Sequence, residues 1–492
     1  MNPWRKNPVI YEINTRVWLG EMPGLEGRPA KLQDVSPRSW DEIARLKPDA
    51  VWLMGVWERS PRGIDISNAH AGNLADFKRA LPGFSPDDNV GSPYCVRSYR
   101  VDAALGGDAG LAAARQQLAS RGIRLILDFV PNHVAHDHPW TESHPGFFIR
   151  GTEEDLKSDP VTFTRVGNSI FACGKDPFYP AWQDVLQLNA FNEGLRKAAV
   201  ETITGLAARC DGLRCDMAML MINDIFEKNW AGKCGPRPSV EYWEALIPAA
   251  RRVNPGFLFI AEAYWDTEWI LQRQGFDYCY DKRLYDRLEA GDTEGIRRHL
   301  TADTAWQSKL VRFTENHDEP RHATVFGPDR SEAAALVAAT VPGARLFHEG
   351  QPDGRKTRLP VFLRRRPAEP PEPRIRTFFN KMLQVISDPV FHDGTWELCS
   401  CSGWPDNGSY ANLLAWQWRL NGQRCLVVIN HAPRPAQGMV SIPGEKLEKA
   451  TYTLYDPVQG HFFERAGTEL SERGLFVSLG PWKYHLLLFS RR

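Results

Sequence analysis

Short runs of β-branched and aromatic residues alternate with stretches of helical apolar spacing over about the first 390 residues, and this constrains the fold more than any other feature. Eight runs read as strands: Val9 to Trp18, Ala50 to Met54, Arg124 to Asp128, Gly212 to Asp216, Phe257 to Glu262, Phe276 to Tyr280, Leu310 to Thr314 and Ala344 to His348. Strands separated by helices must run parallel, and eight of them predict a TIM (β/α)8 barrel. The unit before the third strand shows the logic. Asp108 is placed to cap a helix with Leu111, Ala114 and Leu118 on one face, and Gly122 ends it. Leu195, Ala199, Ile203 and Leu206 mark the helix before the fourth strand, and Ser331 to Val341 the one before the eighth.

Two connections exceed ordinary loops, Gly55 to Ala109 after the second strand and Val134 to about Leu188 after the third. Both follow C-terminal strand ends, the face on which barrel enzymes carry their chemistry. Arg364 to Arg376, rich in Arg, Pro and Glu, reads as a solvated loop. From Trp396 onward the pattern becomes strictly alternating. Leu414, Trp416 and Trp418 share one parity before Asn421-Gly422, a hairpin-turn pair, and Cys425 to Ile429 resumes the strand. The expected organisation is a barrel over 1–133 and 189–394, a short insertion over 134–188, and a C-terminal antiparallel β-sandwich over 395–492.

Bulk properties exclude some partners. Lys+Arg and Asp+Glu are both 60, and no basic face recurs that would track a phosphate backbone, so nucleic acid is not expected. The apolar runs are too short to span a bilayer, and Met1 to Lys6 leads into a strand without a signal peptide's apolar stretch. A soluble, cytoplasmic protein without a membrane partner is expected; its oligomeric state is left open. The nine cysteines contain no CxxC pair, which favours reduced, buried thiols over zinc or redox chemistry.

Acidic residues and histidines gather at four strand ends: Asp128-Phe129-Val130-Pro131-Asn132-His133, Arg214-Cys215-Asp216, Ala261-Glu262, and Glu315-Asn316-His317-Asp318. A carboxylate ending an apolar strand is costly unless it is paired, solvated in a cleft or functional. The two-residue period sends Arg214 and Asp216 to one side and Cys215 to the other. A cation beside Asp216 would keep it ionised as a nucleophile, although the pair alone also fits a structural ion pair. Glu262 suits a carboxyl held protonated by desolvation, and alone also fits a solvated strand end. His133, His317 and Asn132 fit either sugar contacts or ordinary rim residues. Four such segments converging on one rim point to a catalytic cleft.

In this order the segments resemble the four sequence regions of the α-amylase family, glycoside hydrolase family thirteen. The resemblance implies a retaining glycosidase on α-glucosides or α-glucans, with α-1,4 linkages expected: Asp216 as nucleophile, Glu262 as acid/base and Asp318 as third carboxylate. It implies that Asp128, His133, Arg214 and His317 serve the same subsite, together with Tyr94 of Gly91-Ser92-Pro93-Tyr94. No organic cofactor is implied. Transglycosylation, or isomerisation of sucrose or trehalose, would use the same residues; a non-catalytic glucan-binding barrel would be expected to lack one of the carboxylates. Many relatives bind calcium through an acidic residue just before the second region. This chain has Gln187-Leu188-Asn189 there, with Asn132 retained, so no metal is expected.

Overall fold

Ala50, Trp52 and Met54 point into one cluster while Val51 and Leu53 point into another, and this two-residue period builds the molecule. The structure, a computed structural model, describes residues 4–22, 29–444 and 447–492. Residues 1–3, the start of the stretch Met1 to Lys6, lie outside the described residues. Eight parallel strands close into a barrel: β1 (Val9–Asn14), β2 (Ala50–Met54), β3 (Arg124–Phe129), β4 (Gly212–Cys215), β5 (Leu258–Ala261), β6 (Tyr278–Tyr280), β7 (Leu310–Arg312) and β8 (Ala344–His348). Each neighbours the next in sequence, and β8 pairs with β1, Val9 opposite Arg345. All eight expected strands are present.

The inward set, including Ile10, Trp52, Ile126, Ile260 and Leu346, fills the barrel. The outward set, including Val51, Leu125 and Leu213, meets the helices through Leu111, Ala114, Leu118, Ile203 and Leu206. Burying one such leucine contributes about 2 kcal/mol, so the helical faces read from spacing hold the ring in place.

Four local expectations need correction. The first run stops at Asn14, whose side chain caps a helix, Thr15–Gly20, in place of continued strand. The helix Gly107–Ala119 is entered through Gly106, whose left-handed backbone (φ 108) turns the chain there. Asp108 instead lies in its first turn and pairs with Arg209. The helix before β8 spans His322–Thr340 with a break at Gly327. Arg364 to Arg376 is not simply solvated: Arg365 pairs with buried Asp88, Arg366 with Glu349 and Glu21, and Pro373 opens a helix.

The excursion after β2 contains the helix pair Pro61–Ala69 and Ala71–Ala80 and the paired strands Trp57–Arg59 and Val96–Val101. The excursion after β3 forms a four-stranded sheet, His133–Ala135, Trp182–Gln187, Ser169–Gly174 and Phe163–Val166 in that order. In the C-terminal region, a six-stranded and a three-stranded sheet share a core containing Leu413, Ala415, Leu426 and Val428. Leu414, Trp416 and Trp418, of the other parity, pack on the barrel's helices. The turn between these strands has positive φ at both Asn421 and Gly422, as a two-residue hairpin requires. No helix among the described residues is long and apolar enough to cross a membrane.

Candidate active site

Asp216 and Glu262 each sit one residue beyond a barrel strand, and the barrel's own backbone bonds hold them. Asp216 N–H donates to Phe129 O (2.8 Å) and Glu262 N–H to Cys215 O (3.0 Å), extending the parallel ladder to the C-terminal rim of the barrel. Arg214, two residues before Asp216, points inward and is fully buried. Its Nη1 donates to Asp216 Oδ1 at 2.5 Å, while Nη2 lies 2.9 Å from Glu262 Oε2 as a charge contact without a hydrogen bond. Trp52, Tyr94 and Tyr280 present ring faces to the same guanidinium at 5.4, 5.2 and 5.6 Å. One cation thus lies between two carboxylates that face a common cavity.

Met217 follows in the left-handed region (φ 44, ψ 43), uncommon for a side-chain-bearing residue, and this turns its N–H onto Glu262 Oε2 at 2.6 Å. Tyr264 OH donates to the other oxygen, Oε1, at 3.0 Å. Burial pushes Glu262 up to about 7, against the pull of Arg214 and with help from the charges of Asp216 and Asp318. Burial moves Asp216 upward as well, and Arg214 opposes it. Of the two, only Asp216 accepts a hydrogen bond from the cation.

Asp318 stands more open, its side chain 44 % exposed. Desolvation in the cleft opposes its charge, but His317, with Nε2 3.0 Å from Oδ2, outweighs this and holds the carboxyl well below the usual range; Arg214 and Arg358 pull the same way. His317 is raised to about 10. Burial would lower it, but it lies between Asp318 and Glu12, whose Oε1 is 2.5 Å from Nδ1. Tyr94 OH is 2.7 Å from His317 Nε2, and the two rings stack at 5.3 Å.

The cavity, about 680 Å³, is lined by Asp216, Glu262, Asp318, Tyr94 and His133 among the expected residues. Asp128, Arg214 and His317, expected to serve the subsite, are buried next to these lining residues. Their partners explain this. Both Asp128 oxygens are taken, by Trp52 Nε1 (3.0 Å) and Gly55 N (2.7 Å), so Asp128 positions the rim. Burial raises Asp128 to about 6, opposed by Arg214. His133 is lowered to about 4 by burial and is neutral near pH 7. Sequence reading missed Glu12, Tyr264 and Met217. Glu12 carried a signal, a lone charge within the apolar run Val9 to Ile13; the other two carried none.

The neighbourhood of Asn132 does not suit calcium. The two N–H groups of Gln187 Nε2 are shared among Asn132 O (3.0 Å), Asn132 Oδ1 (2.9 Å) and Leu188 O (3.0 Å). Three oxygens that could have faced a cation converge on an amide nitrogen, itself a donor that repels a metal ion.

Residues 43–358 match the family model for the α-amylase catalytic domain. The chain belongs to the α-amylase family. The matched span contains all four strand-end segments and ends before the C-terminal sheets. Among curated relatives of this α-amylase-family chain, α-amylase MalA of Haloarcula japonica is 24 % identical over 72 % of this chain and 45 % of that protein. The oligo-1,6-glucosidase of Parageobacillus thermoglucosidasius is 23 % identical over 71 % and 66 %. The chain thus spans between about half and two thirds of these relatives' length. Among solved structures, the noncanonic maltogenic α-amylase AmyB from Thermotoga neapolitana superposes with a TM-score of 0.70 at 19 % identity, covering 98 % of this chain and 99 % of that one. The α-amylase from Geobacillus thermoleovorans in complex with acarbose gives 0.69 at 15 %, covering 99 % and 98 %. At these identities the likeness is one of fold.

Proposed function

We propose that the protein is a retaining glycoside hydrolase of α-glucosides or α-glucans, working through a covalent glycosyl-enzyme intermediate. The observation that carries this reading is Arg214 placed between Asp216 and Glu262 and hydrogen-bonded to Asp216 alone, with burial raising Glu262 to about 7. Glu262 Oε2 accepts from Met217 N–H, which cannot reverse, and lies beside the Arg214 cation, so the transferable proton sits on Oε1, whose partner, the Tyr264 hydroxyl, can turn from donor to acceptor. In the first step that proton passes to the glycosidic oxygen, the bond from this oxygen to the anomeric carbon breaks, and Asp216 attacks the carbon to form an ester. The now charged Glu262 then takes a proton from water, whose oxygen displaces Asp216. Two inversions retain the configuration. Two carboxylates on the terminal nitrogens of one guanidinium suit the separation of about 5 Å that a retaining pair needs.

Asp318 is held ionised by imidazolium His317 and faces the cavity. Its bond to a sugar hydroxyl strengthens as positive charge develops on the ring, which stabilises the transition state over the ground state. Incubation with maltooligosaccharides, sucrose and trehalose, with products followed by chromatography and their fresh anomeric form by NMR, tests the reading. Hydrolysis products with α configuration are expected. β products from the first turnovers, or turnover of none of the three, would overturn it; longer oligosaccharides in place of hydrolysis products would make the enzyme a transglycosylase.

A further inference from the structure

The excursions after β2 and β8 are joined to each other. Phe77 and Leu81, from the helix pair after β2, bury themselves against Leu363, with Phe362 packed beside them. Phe77 and Phe362 rings lie 5.5 Å apart. Backbone bonds cross the seam, Val90 N–H to Phe362 O and Arg364 N–H to Asp88 O, both 2.9 Å, and Arg365 clasps Asp88 with two bonds of 2.6 and 2.7 Å. On its other side the β2 excursion is tied to the excursion after β3. Ser60 Oγ donates to Asp137 (2.6 Å), and Cys95 Sγ to the carbonyl of Asp184 (3.1 Å). Three excursions thus make one wall, and its inner surface, through His70, Asn73, Asp184 and Phe362, lines the same cavity as the three carboxylates.

The position of this wall follows from strand order. In a closed ring of eight, β5 lies across from β1, and β2 and β8 flank β1. Glu262 ends β5, whereas the seam joins the excursions after β2 and β8. The leaving oxygen must meet Glu262, so the aglycone departs past Tyr264 and the glycone points across the mouth to the wall. Resting on the glycosidase reading above, we propose that this wall closes the glycone side of the cleft, so that the enzyme engages α-glucan chains by their non-reducing ends and removes short units of fixed length. Asp184 and His70 line the cavity from this wall and are the polar groups it offers to the terminal sugar's hydroxyls.

The test uses the whole enzyme and maltoheptaose labelled at its reducing end with 2-aminopyridine, either unmodified or carrying a 4,6-O-ethylidene block on its non-reducing glucose. The unmodified chain is expected to shorten by one constant step. The blocked chain is expected to react at least about a hundredfold more slowly. Comparable rates on both, or scattered product lengths from the first turnovers, overturn the inference and leave the glycosidase reading intact. No turnover of either overturns both. A folded Phe362→Ala enzyme is expected to gain at least about tenfold on the blocked chain relative to the unmodified one, a gain that misfolding cannot produce. Absence of that gain in a folded, active variant overturns the assignment of the barrier to this wall.

Discussion

Arg214 Nη1 lies 2.5 Å from Asp216 Oδ1, the guanidinium fully buried and the carboxylate at the cavity wall. Asp216→Asn keeps a neutral acceptor in that place but cannot form the glycosyl ester. The variant is expected to fold, by circular dichroism, and to lose turnover by about 10³-fold or more. A folded variant with more than a tenth of the wild-type rate would rule out Asp216 as nucleophile.

Glu262 must be protonated for the first step, so kcat/KM is expected to fall as pH rises through about 7, the value to which burial pushes this group. Glu262→Gln should remove that limb. It should also spare substrates with good leaving groups, such as glycosyl fluorides, far more than natural glycosides. Equal losses on both kinds of substrate would argue against the acid role.

His317 has a folded pKa of about 10, raised by Asp318 and Glu12 against burial. The folded state therefore binds a proton that the unfolded chain releases near pH 6.5. Its stabilising effect is full below about 6.5 and is lost as pH rises toward 10. Thermal melts of wild type and His317→Gln across pH 6 to 10 should converge at the alkaline end; a constant difference would show that His317 stays in one charge state.

Dialysis against a chelator is expected to leave both Tm and rate unchanged, because the amide of Gln187 already satisfies the oxygens of Asn132 and Leu188. Gln187→Asp removes the donor and adds a charge. Its Tm is expected to rise on addition of calcium, which wild type should not show. A calcium-reversible loss in wild type would contradict this account.

Trp416 and Trp418 anchor the C-terminal sheets to the barrel, both donating to Thr340, at Oγ1 (3.2 Å) and at the carbonyl (2.6 Å). Trp416→Ala removes a fully buried side chain and should cost about 3–5 kcal/mol. A Tm lowered by only a degree or two in differential scanning calorimetry would show that the two regions are not one cooperative core.

The strands were legible because their period separates two buried faces: Val51 and Leu53 against helices, Trp52 and Met54 inside. That Arg214, Asp216 and Glu262 gather at one end of the barrel was legible because charge in or just beyond an apolar strand is costly and needs a cause. What could not be read is whatever depends on contacts distant in sequence. The partners of Asp128 and His317, Trp52 and Glu12, come from β2 and β1, far from them in the sequence. Met217's left-handed backbone has no sequence signal, since methionine rarely adopts it. The solvated reading of Arg364 to Arg376 failed because acceptors such as Asp88 and Glu349 lie far away in the chain.

The seam between Phe77 and Phe362 also bears on how such a cleft can be remodelled. Leu363 is buried by residues from the other excursion, so either loop changed alone would uncover its partner's apolar face. Grafting the β2 excursion of an open-clefted relative should therefore produce an insoluble protein unless the β8 excursion is exchanged with it. The two loops, some 280 positions apart in the chain, can thus be exchanged only as a pair.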